Sequence, residues 1–330
     1  MKNFVLSVLF TGSLWFGFGC SDAKQTPAPT PVSIIFDTDL GPDYDDVGAL
    51  TILHSFADSG EVRILATLSS NLDSLVAPCI DAINTYYGRP DLPVGAPVKG
   101  VSFGDGHAEK WTEALVAKFP HDLKSTPDAP DAVGIYRQIL AAEPDTSVVI
   151  VTVGFLTNLA NLLESELDAF SPLTGKELVA RKVKKLVSMA GSFPSGREFN
   201  VFCDSAASVK VFSEWSSPIL LSGVEIGNKI LTGKRLIASD IANTPAKETF
   251  SICLKQGDFD GRQSWDETAV LVAVRGAEPY FNTVKGRIIA NPDGSNTWQD
   301  DPQGPHEHLT WKLPIEEVAK IIEDLMMHEA

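Results

Sequence analysis

A chain of 330 residues with 44% hydrophobic content can bury a sizeable core, either as one large α/β domain or as two ordinary ones. Its 43 acidic residues outnumber the 27 basic ones, which gives a formal net charge of -16 at pH 7. Because nucleic-acid binding depends on Lys and Arg that neutralise phosphates, this balance argues against a nucleic-acid polymer as partner and favours a small or neutral ligand.

The N-terminal segment is typical of a targeting signal. Lys2 precedes an apolar stretch over residues 4–19 that is too short to span a membrane comfortably. Gly19-Cys20 resembles a bacterial lipoprotein cleavage site, after which Cys20 would carry the lipid, although Gly17 stands where that pattern prefers Leu. We therefore expect a lipoprotein-like signal peptide over 1–20; an ordinary signal peptide or an uncleaved anchor is the alternative, and all three export the protein.

A polar, Pro-rich piece over residues 21–31 follows and predicts an extended tether. Prolines and glycines are scattered through the rest of the chain and no internal repeat is visible, so we expect a single domain over 32–330. The remaining cysteines, Cys79, Cys203 and Cys253, lack metal-ligand spacing and predict no disulfide. The expected location is the bacterial cell envelope, facing the periplasm or the cell surface, with a lipid anchor as the only membrane contact.

The richest local signal is an acidic cluster that follows the apolar run at residues 32–36. Such a run is typical of a buried parallel strand, and open α/β sheets bind ligands where their strands end. Carboxylates that face one point either share protons or hold a hard cation such as Ca²⁺ or Mg²⁺. The sequence therefore predicts a metal site built from some of Asp37, Asp39, Asp43, Asp45 and Asp46.

Strand-like and helix-like segments alternate along the chain, which predicts parallel βαβ units in an open, mostly parallel sheet with helices on both faces. Residues 291–308, rich in Asp, Gly, Pro and Asn, are expected to form a long loop. Several predicted helices begin with Asp, so helix capping is the alternative explanation for those acids. The strands are expected at 34–36, 62–68, 148–153, 185–189 and 219–221, and the helices at 45–56, 73–87, 131–142, 156–164, 204–215, 266–275 and 315–328.

The acidic motif alone leaves alternatives open. Asp-Thr-Asp-Leu-Gly also suits a haloacid-dehalogenase-like phosphatase with an aspartyl nucleophile, but such a loop does not require the second pair, Asp45-Asp46. An EF-hand loop does not fit, because Pro42 and Gly48 stand where it needs Gly and Glu. Gly100-Val-Ser102-Phe-Gly104 matches a serine-hydrolase elbow, with His306 or His308 downstream, yet Gly104 and Gly106 delay the helix that should follow the serine.

Several motifs in one order make the chain resemble the nucleoside hydrolase family, the inosine-uridine-preferring N-ribohydrolases. Its opening Asp-x-Asp-x-Gly motif followed by Asp-Asp matches residues 37–46, although the spacing between Gly41 and Asp45 is longer than in the commonest members. The other matching segments are Ser-Ser-Asn71, Val153-Gly-Phe-Leu-Thr-Asn158, Met189-Ala-Gly, Glu198-Phe-Asn200-Val-Phe-Cys-Asp204 and Trp265-Asp266. The resemblance covers most of the chain after the tether and implies the family's Rossmann-like fold.

The resemblance also implies roles for individual residues. Ca²⁺ would be held by Asp39, Asp46, the Val153 carbonyl and Asp266, with Asp37 bracing the site from behind. The ribose hydroxyls would be held by Asp45, Asn71, Glu198 and Asn200. The implied reaction is hydrolysis of the N-glycosidic bond of a ribonucleoside or related riboside to ribose and free base, with Asp39 as general base toward a Ca²⁺-bound water.

Two departures from the family pattern concern the leaving base. Trp265 stands where many members carry a His, and an indole has no proton to give near neutral pH. Its ring would stack on a base or pack behind Asp266. The segment from Met189 to Arg197 lacks a clear Asn that the family uses on the ribose. A riboside-binding envelope lipoprotein with little or no turnover is therefore the alternative function, and a homo-oligomer is left open.

Overall fold

The five apolar runs predicted to be buried strands all form strands, and they lie parallel to one another. β1 (Val32–Thr38) pairs with β2 (Val62–Ser69) on one side and with β4 (Val148–Thr152) on the other. β5 (Val183–Met189) pairs with β4, and β7 (Ile219–Ser222) pairs with β5. Strands that are buried on both faces read as continuous apolar runs, which is why the sequence predicted them well.

The sheet extends beyond β7 through strands that the sequence did not reveal. β12 (His306–Trp311) lies parallel to β7, and β10 (Phe281–Ala290) and β11 (Asn296–Asp300) continue it in antiparallel fashion. The expected long loop over 291–308 was therefore wrong. Its turn residues form two short connections, one in which Asn291 N donates to Ser295 O and one in which Gly304 N donates to Asp301 O. The half-exposed β11 lacks an apolar run that would mark it as a strand.

Helices cover both faces of the sheet. Ile34 and Phe36 of β1 point into one apolar layer, whereas Ile35 between them points into the other. All three side chains are fully buried. This alternation is what a strand with two covered faces requires, and it confirms the predicted Rossmann-like α/β class.

The remaining bounds complete the description. The ten-stranded sheet has the order β3-β2-β1-β4-β5-β7-β12-β10-β11-β6, with β3 at Val94–Gly95 and β6 at Ser195–Gly196, and a separate pair joins β8 (Leu231–Thr232) to β9 (Arg262–Gln263). The helices are α1 (Asp45–Asp58), α2 (Val76–Tyr86), α3 (Trp111–Lys118), α4 (Ala132–Ala142), α5 (Thr157–Glu164), α6 (Gly175–Lys182), α7 (Phe199–Cys203), α8 (Ser205–Glu214), α9 (Val224–Gly227), α10 (Lys234–Ala238), α11 (Pro245–Cys253), α12 (Trp265–Arg275) and α13 (Ile315–Met326), and 3-10 turns lie at Thr126–Asp128 and Leu254–Gln256.

The capping explanation holds for some of the aspartates. Asp131 accepts hydrogen bonds from the first backbone N–H groups of α4, and Asp204 does the same for α8. Asp45 instead lies inside the first turn of α1, where its side chain is turned toward another helix.

These observations come from a computed structural model that describes residues 1, 2, 4 and 30–330. Residues 31–330 form one compact unit. Most of the expected signal peptide, Cys20 and nearly all of the tether lie outside the described residues, so the expectations for them stay predictions. In the part that is described, every helix is too short or too polar to cross a membrane.

Truncating a core side chain of β1 tests the layered packing. We expect Phe36→Ala to lower the free energy of unfolding by roughly 3–5 kcal/mol, because the ring is fully buried and its removal leaves a cavity. Phe259→Ala is the matched control, since that ring is 69% exposed and its loss should change stability by no more than about 0.5 kcal/mol. Denaturant unfolding measures both; equal effects would contradict the described core.

Candidate active site and metal centre

The end of β1 supplies two predicted site residues with different surroundings. Asp37 is fully buried and accepts hydrogen bonds from Tyr136 Oη at 2.9 Å and Asn158 Nδ2 at 3.1 Å. Burial raises the pKa of Asp37 to about 7, although both hydrogen bonds act against this shift. Asp39, two residues further on, lines an open cleft at the carboxyl ends of the parallel strands. Asp37 therefore supports the site from within the core, and Asp39 faces the cleft.

Two helix N-termini bring further carboxylates to the same place. Asp45 and Asp46 lie in the first turn of α1, and Asp266 lies in the first turn of α12. Together with Asp43 they present ligand oxygens that all lie within 4.8 Å of one another. The two helices approach closely because Gly48 of α1 has no side chain; a Cβ there would lie 2.2 Å from a Glu267 oxygen.

The electrostatics of this aspartate cluster are unfavourable without a cation. Burial, followed by repulsion from neighbouring aspartates, raises the pKa of Asp39, Asp46 and Asp266 well above the ordinary range. Asp46 Oδ1 accepts a hydrogen bond from Thr38 Oγ1, but Asp46 Oδ2 is buried with no hydrogen-bond partner among the described residues. Converging carboxylate oxygens and one unsatisfied oxygen fit a hard divalent cation. The cluster could hold a metal ion.

Close backbone packing holds Asp39 in place. A Cβ on Gly154, which follows β4, would lie 2.4 Å from the Asp39 backbone nitrogen and 2.5 Å from Ser70 Oγ. Glycine is therefore required where the segment after β4 crosses the end of β1. This contact keeps the predicted carbonyl ligand, that of Val153, beside Asp39 on the lining of the cleft.

Asn71, expected to hold ribose, is occupied by protein contacts. Its Nδ2 donates to the carbonyls of Asp39 and Phe103 at 2.8 Å, and its Oδ1 accepts from the backbone nitrogens of Phe103 and Asp73. The side chain thereby ties the loop at Phe103 to the Asp39 strand end. The structure places Asn71 next to the cleft but not on its lining.

Glu198 and Asn200 meet at the cleft through a helix cap. Glu198 is the N-cap of α7, where its carboxylate accepts from Asn200 N at 2.7 Å and from Val201 N and Gly191 N at 3.1 Å. Asn200 Nδ2 donates to Val153 O at 2.9 Å. The two residues do not lie on an extended segment, because α7 begins directly after Glu198. Burial raises the pKa of Glu198 to about 7.

Trp265 forms one wall of the cleft and is held rigidly. Its Nε1 donates to Val224 O at 3.0 Å and to Asn228 Oδ1 at 3.1 Å. The indole N–H is therefore already used by the protein, while the ring faces the lining. The cleft residues are Asp39, Asp43, Val153, Met189, Glu198, Phe199, Asn200, Val224, Trp265 and Asp266.

Arg262, a cation beside the aspartate cluster, was not predicted from the sequence. Its Nη2 lies 3.0 Å from Asp45 Oδ1 and 2.8 Å from Asp43 Oδ2. The guanidinium also lies over the rings of Tyr44 and Trp265, 4.8 Å from each centroid. Arg262 is more than 200 residues from Asp45 along the chain, so no local spacing could have indicated the pairing; a charged residue close before Trp265-Asp266 was the only available signal.

The rival motifs lie elsewhere in the fold. Ser102 sits in an irregular loop after the isolated bridge at Val101, without the strand and helix that an elbow needs. His306 and His308 belong to β12, where His306 Nδ1 accepts from Ile288 N and the ring of His308 stacks on Phe193. These contacts are those of core residues.

Comparison with known proteins finds a family match over most of the chain. A family model described as "Inosine-uridine preferring nucleoside hydrolase" matches residues 34–306. Proteins of that description from Crithidia fasciculata and Leishmania major are 22% and 24% identical to this chain over 66% and 61% of it, and the matches span 68% and 63% of those relatives. The structure of an inosine-uridine preferring nucleoside hydrolase from Bacillus anthracis superposes with a TM-score of 0.66, covering 90% of this chain and 99% of that one at 17% identity.

The raised carboxyl pKa values predict how metal binding depends on pH. Burial raises the pKa of Asp45 to about 7 and the pKa values of Asp46 and Asp266 well above the ordinary range, so a cation must displace protons from the cluster at low pH. The affinity for Ca²⁺ or Mg²⁺ should therefore rise as the pH increases through about 7, with proton release on binding. Isothermal titration in buffers of different ionisation enthalpy measures both quantities. An affinity that stays constant as the pH increases, without proton release, would contradict the described electrostatics.

Proposed function

Because this chain belongs to the inosine-uridine preferring nucleoside hydrolase family, whose members hydrolyse riboside N-glycosidic bonds, we propose that it is a Ca²⁺-dependent riboside hydrolase of the cell envelope. The observation that carries the proposal is the shared lining of one cleft. Five predicted site side chains from three separate segments line it: Asp39, Glu198, Asn200, Trp265 and Asp266. A chance match of short motifs would not bring distant segments to one surface.

The proposed metal ligands are Asp39, Asp46, the Val153 carbonyl and Asp266. Asp46 supports this assignment best, because its buried Oδ2 has no hydrogen-bond partner among the described residues. All four donors are oxygens, the type that Ca²⁺ prefers. When bound, the ion would lower the pKa of a water and orient sugar hydroxyls.

The chain's own residues would do the remaining work. Asp39 would accept the proton of the attacking water, because its carboxylate lines the cleft beside the proposed ion. Cleavage of the C–N bond builds positive charge on the ribose, which the surrounding carboxylates would stabilise. Ribose contacts are proposed for Glu198 and Asn200, which line the cleft, whereas Asn71 and Asp45, also implied by the resemblance, do not line it.

Charge favours an uncharged substrate. The cleft and the cluster beneath it hold Asp39, Asp43, Asp45, Asp46, Asp266 and Glu198, against the single guanidinium of Arg262. A phosphate group would be repelled even after one divalent cation had bound. This argues for a riboside over a phosphate ester and against the phosphatase alternative.

The leaving base would meet Trp265, which supplies a flat apolar ring and no acid. Its N–H is held by Val224 and Asn228, so protonation of the base would have to come from another group or from water. This feature favours the second candidate, an envelope protein that binds ribosides with little turnover. The N-terminal signal supports the envelope location in both cases, with Cys20 as the proposed lipidation site.

Substitution of the proposed base separates these functions. We expect wild-type protein with Ca²⁺ to release base from a nucleoside panel, and both a chelator and Asp39→Ala to lower the rate by at least roughly 100-fold, since general-base catalysis contributes about that much. Asp145→Ala is the matched control, because Asp145 is an exposed partner of Arg181. Base release is followed chromatographically.

Other outcomes would change the assignment. Unchanged turnover in Asp39→Ala would remove Asp39 as the base. Turnover of phosphate esters without turnover of ribosides would support the phosphatase. Riboside binding without turnover in the wild type would support the binding protein.

A further inference from the structure

The loop between β1 and α1 places one carboxylate in a different position from the rest of the cluster. This loop runs from Gly41 to the start of α1 at Asp45. Asp43 lies in it and lines the cleft, and its side chain is 33% exposed. Asp45 and Asp46 are almost completely buried and do not line the cleft. A ligand in the cleft would therefore contact Asp43 before it could reach the buried carboxylates of Asp45 and Asp46.

Asp45, the residue expected to hold ribose from the family resemblance, is fully engaged within the protein. Its Oδ1 accepts from Nε and Nη2 of Arg262 at 3.1 and 3.0 Å. Its Oδ2 accepts from the backbone nitrogens of Trp265 at 3.1 Å and Asp266 at 3.3 Å. Asp45 thus caps α12 and binds Arg262, and its side chain is only 1% exposed. A ligand could reach it only if these contacts broke.

Arg262 fixes the direction of Asp43. Its Nη2 lies 2.8 Å from Asp43 Oδ2, and the same guanidinium rests on the rings of Tyr44 and Trp265. Tyr44 Oη donates to Asp258 at 2.7 Å, which attaches the loop to the segment that carries Arg262. Two guanidinium N–H groups donate to the same Asp45 oxygen, and this contact keeps the guanidinium from turning away. Asp43 is therefore held at the cleft wall before any ligand arrives.

We infer that Asp43 is the carboxylate that accepts a hydrogen bond from a ribose hydroxyl in this cleft, with Arg262 as its positioning residue. The inference rests on the proposed riboside function and adds a source of substrate choice. When a carboxylate is positioned to bind one ribose hydroxyl, the corresponding deoxyriboside leaves that carboxylate without a hydrogen-bond partner. The affinity for the deoxyriboside is therefore lower than the affinity for the riboside. The site would therefore select ribosides over deoxyribosides through Asp43.

The test measures binding by the full Ca²⁺-loaded protein with inosine, uridine and their 2′-deoxy and 3′-deoxy analogues as probes. We expect Asp43→Ala to weaken binding of the parent ribosides by roughly 10- to 100-fold, the usual effect of losing a hydrogen bond to a charged group. The loss should nearly disappear for the analogue that lacks the contacted hydroxyl. Asp43→Asn, which keeps an acceptor oxygen and the shape of the side chain, should lie in between.

Matched controls separate positioning from folding and from metal binding. Asp260→Asn changes a neighbouring carboxylate whose side chain is 94% exposed, and it should leave all affinities unchanged. Arg262→Gln should reproduce the selective loss, and Arg262→Lys should restore part of it because it keeps the charge without the bidentate fork. The affinity for Ca²⁺, titrated separately without riboside, should change by less than about threefold in Asp43→Ala. Removal of a carboxylate that coordinates the ion would lower the Ca²⁺ affinity by much more.

The outcomes for the two proposals differ. Equal losses for parent and deoxy probes in Asp43→Ala, or a matching loss of Ca²⁺ affinity, would overturn the role of Asp43 while leaving riboside hydrolysis intact. Hydroxyl-selective binding through Asp43 without turnover by the wild type would overturn the hydrolase function and support the inference. A wild type that neither binds nor cleaves any probe would overturn both.

Discussion

The main constraint on this site is the mutual repulsion among carboxylates that are buried close together. Asp46 and Asp266 sit at the first turns of two helices, and the strand end at Asp39 faces the same place. The positive ends of α1 and α12 and the guanidinium of Arg262 offset part of this charge. They leave Asp46 Oδ2 without a partner in the described part of the chain. Burial and mutual repulsion raise the pKa values of these carboxyl groups, and a bound cation would lower them again. The proposed metal binding and the proposed ligand binding therefore depend on the same cluster.

The fold explains how residues from distant segments reach this point. The parallel strands end at one edge of the sheet, and the segments after β1 and β4 deliver Asp39 and Val153 there. Buried hydrogen bonds hold the supports: Tyr136 and Asn158 bind Asp37, and Gly154 allows the backbone to pass Asp39. The cleft is thus rigid before a ligand enters, and a preorganised site needs little rearrangement on binding.

Local sequence signals predicted the parts of the structure that depend on local physics. The apolar runs of β1, β2, β4, β5 and β7 are recognisable because both faces of those strands are covered, and the acidic motif is contiguous in sequence. The pairing of Arg262 with Asp43 and Asp45 joins segments more than 200 residues apart, and β11 is a half-exposed strand without an apolar run. Glu198 became a helix cap because α7 starts there, which residue spacing alone did not indicate.

One measurement tests the central claim most directly: the anomalous scattering of a crystal soaked in Mn²⁺, a stand-in for Ca²⁺ with a usable signal. The account predicts a single strong peak within coordinating distance, about 2.0–2.6 Å, of carboxylate oxygens of Asp46 and Asp266, next to Asp39. The peak should be absent from crystals of Asp46→Asn. Well-ordered carboxylates at full Mn²⁺ with no peak among them, at a pH where the protein is active, would contradict the account.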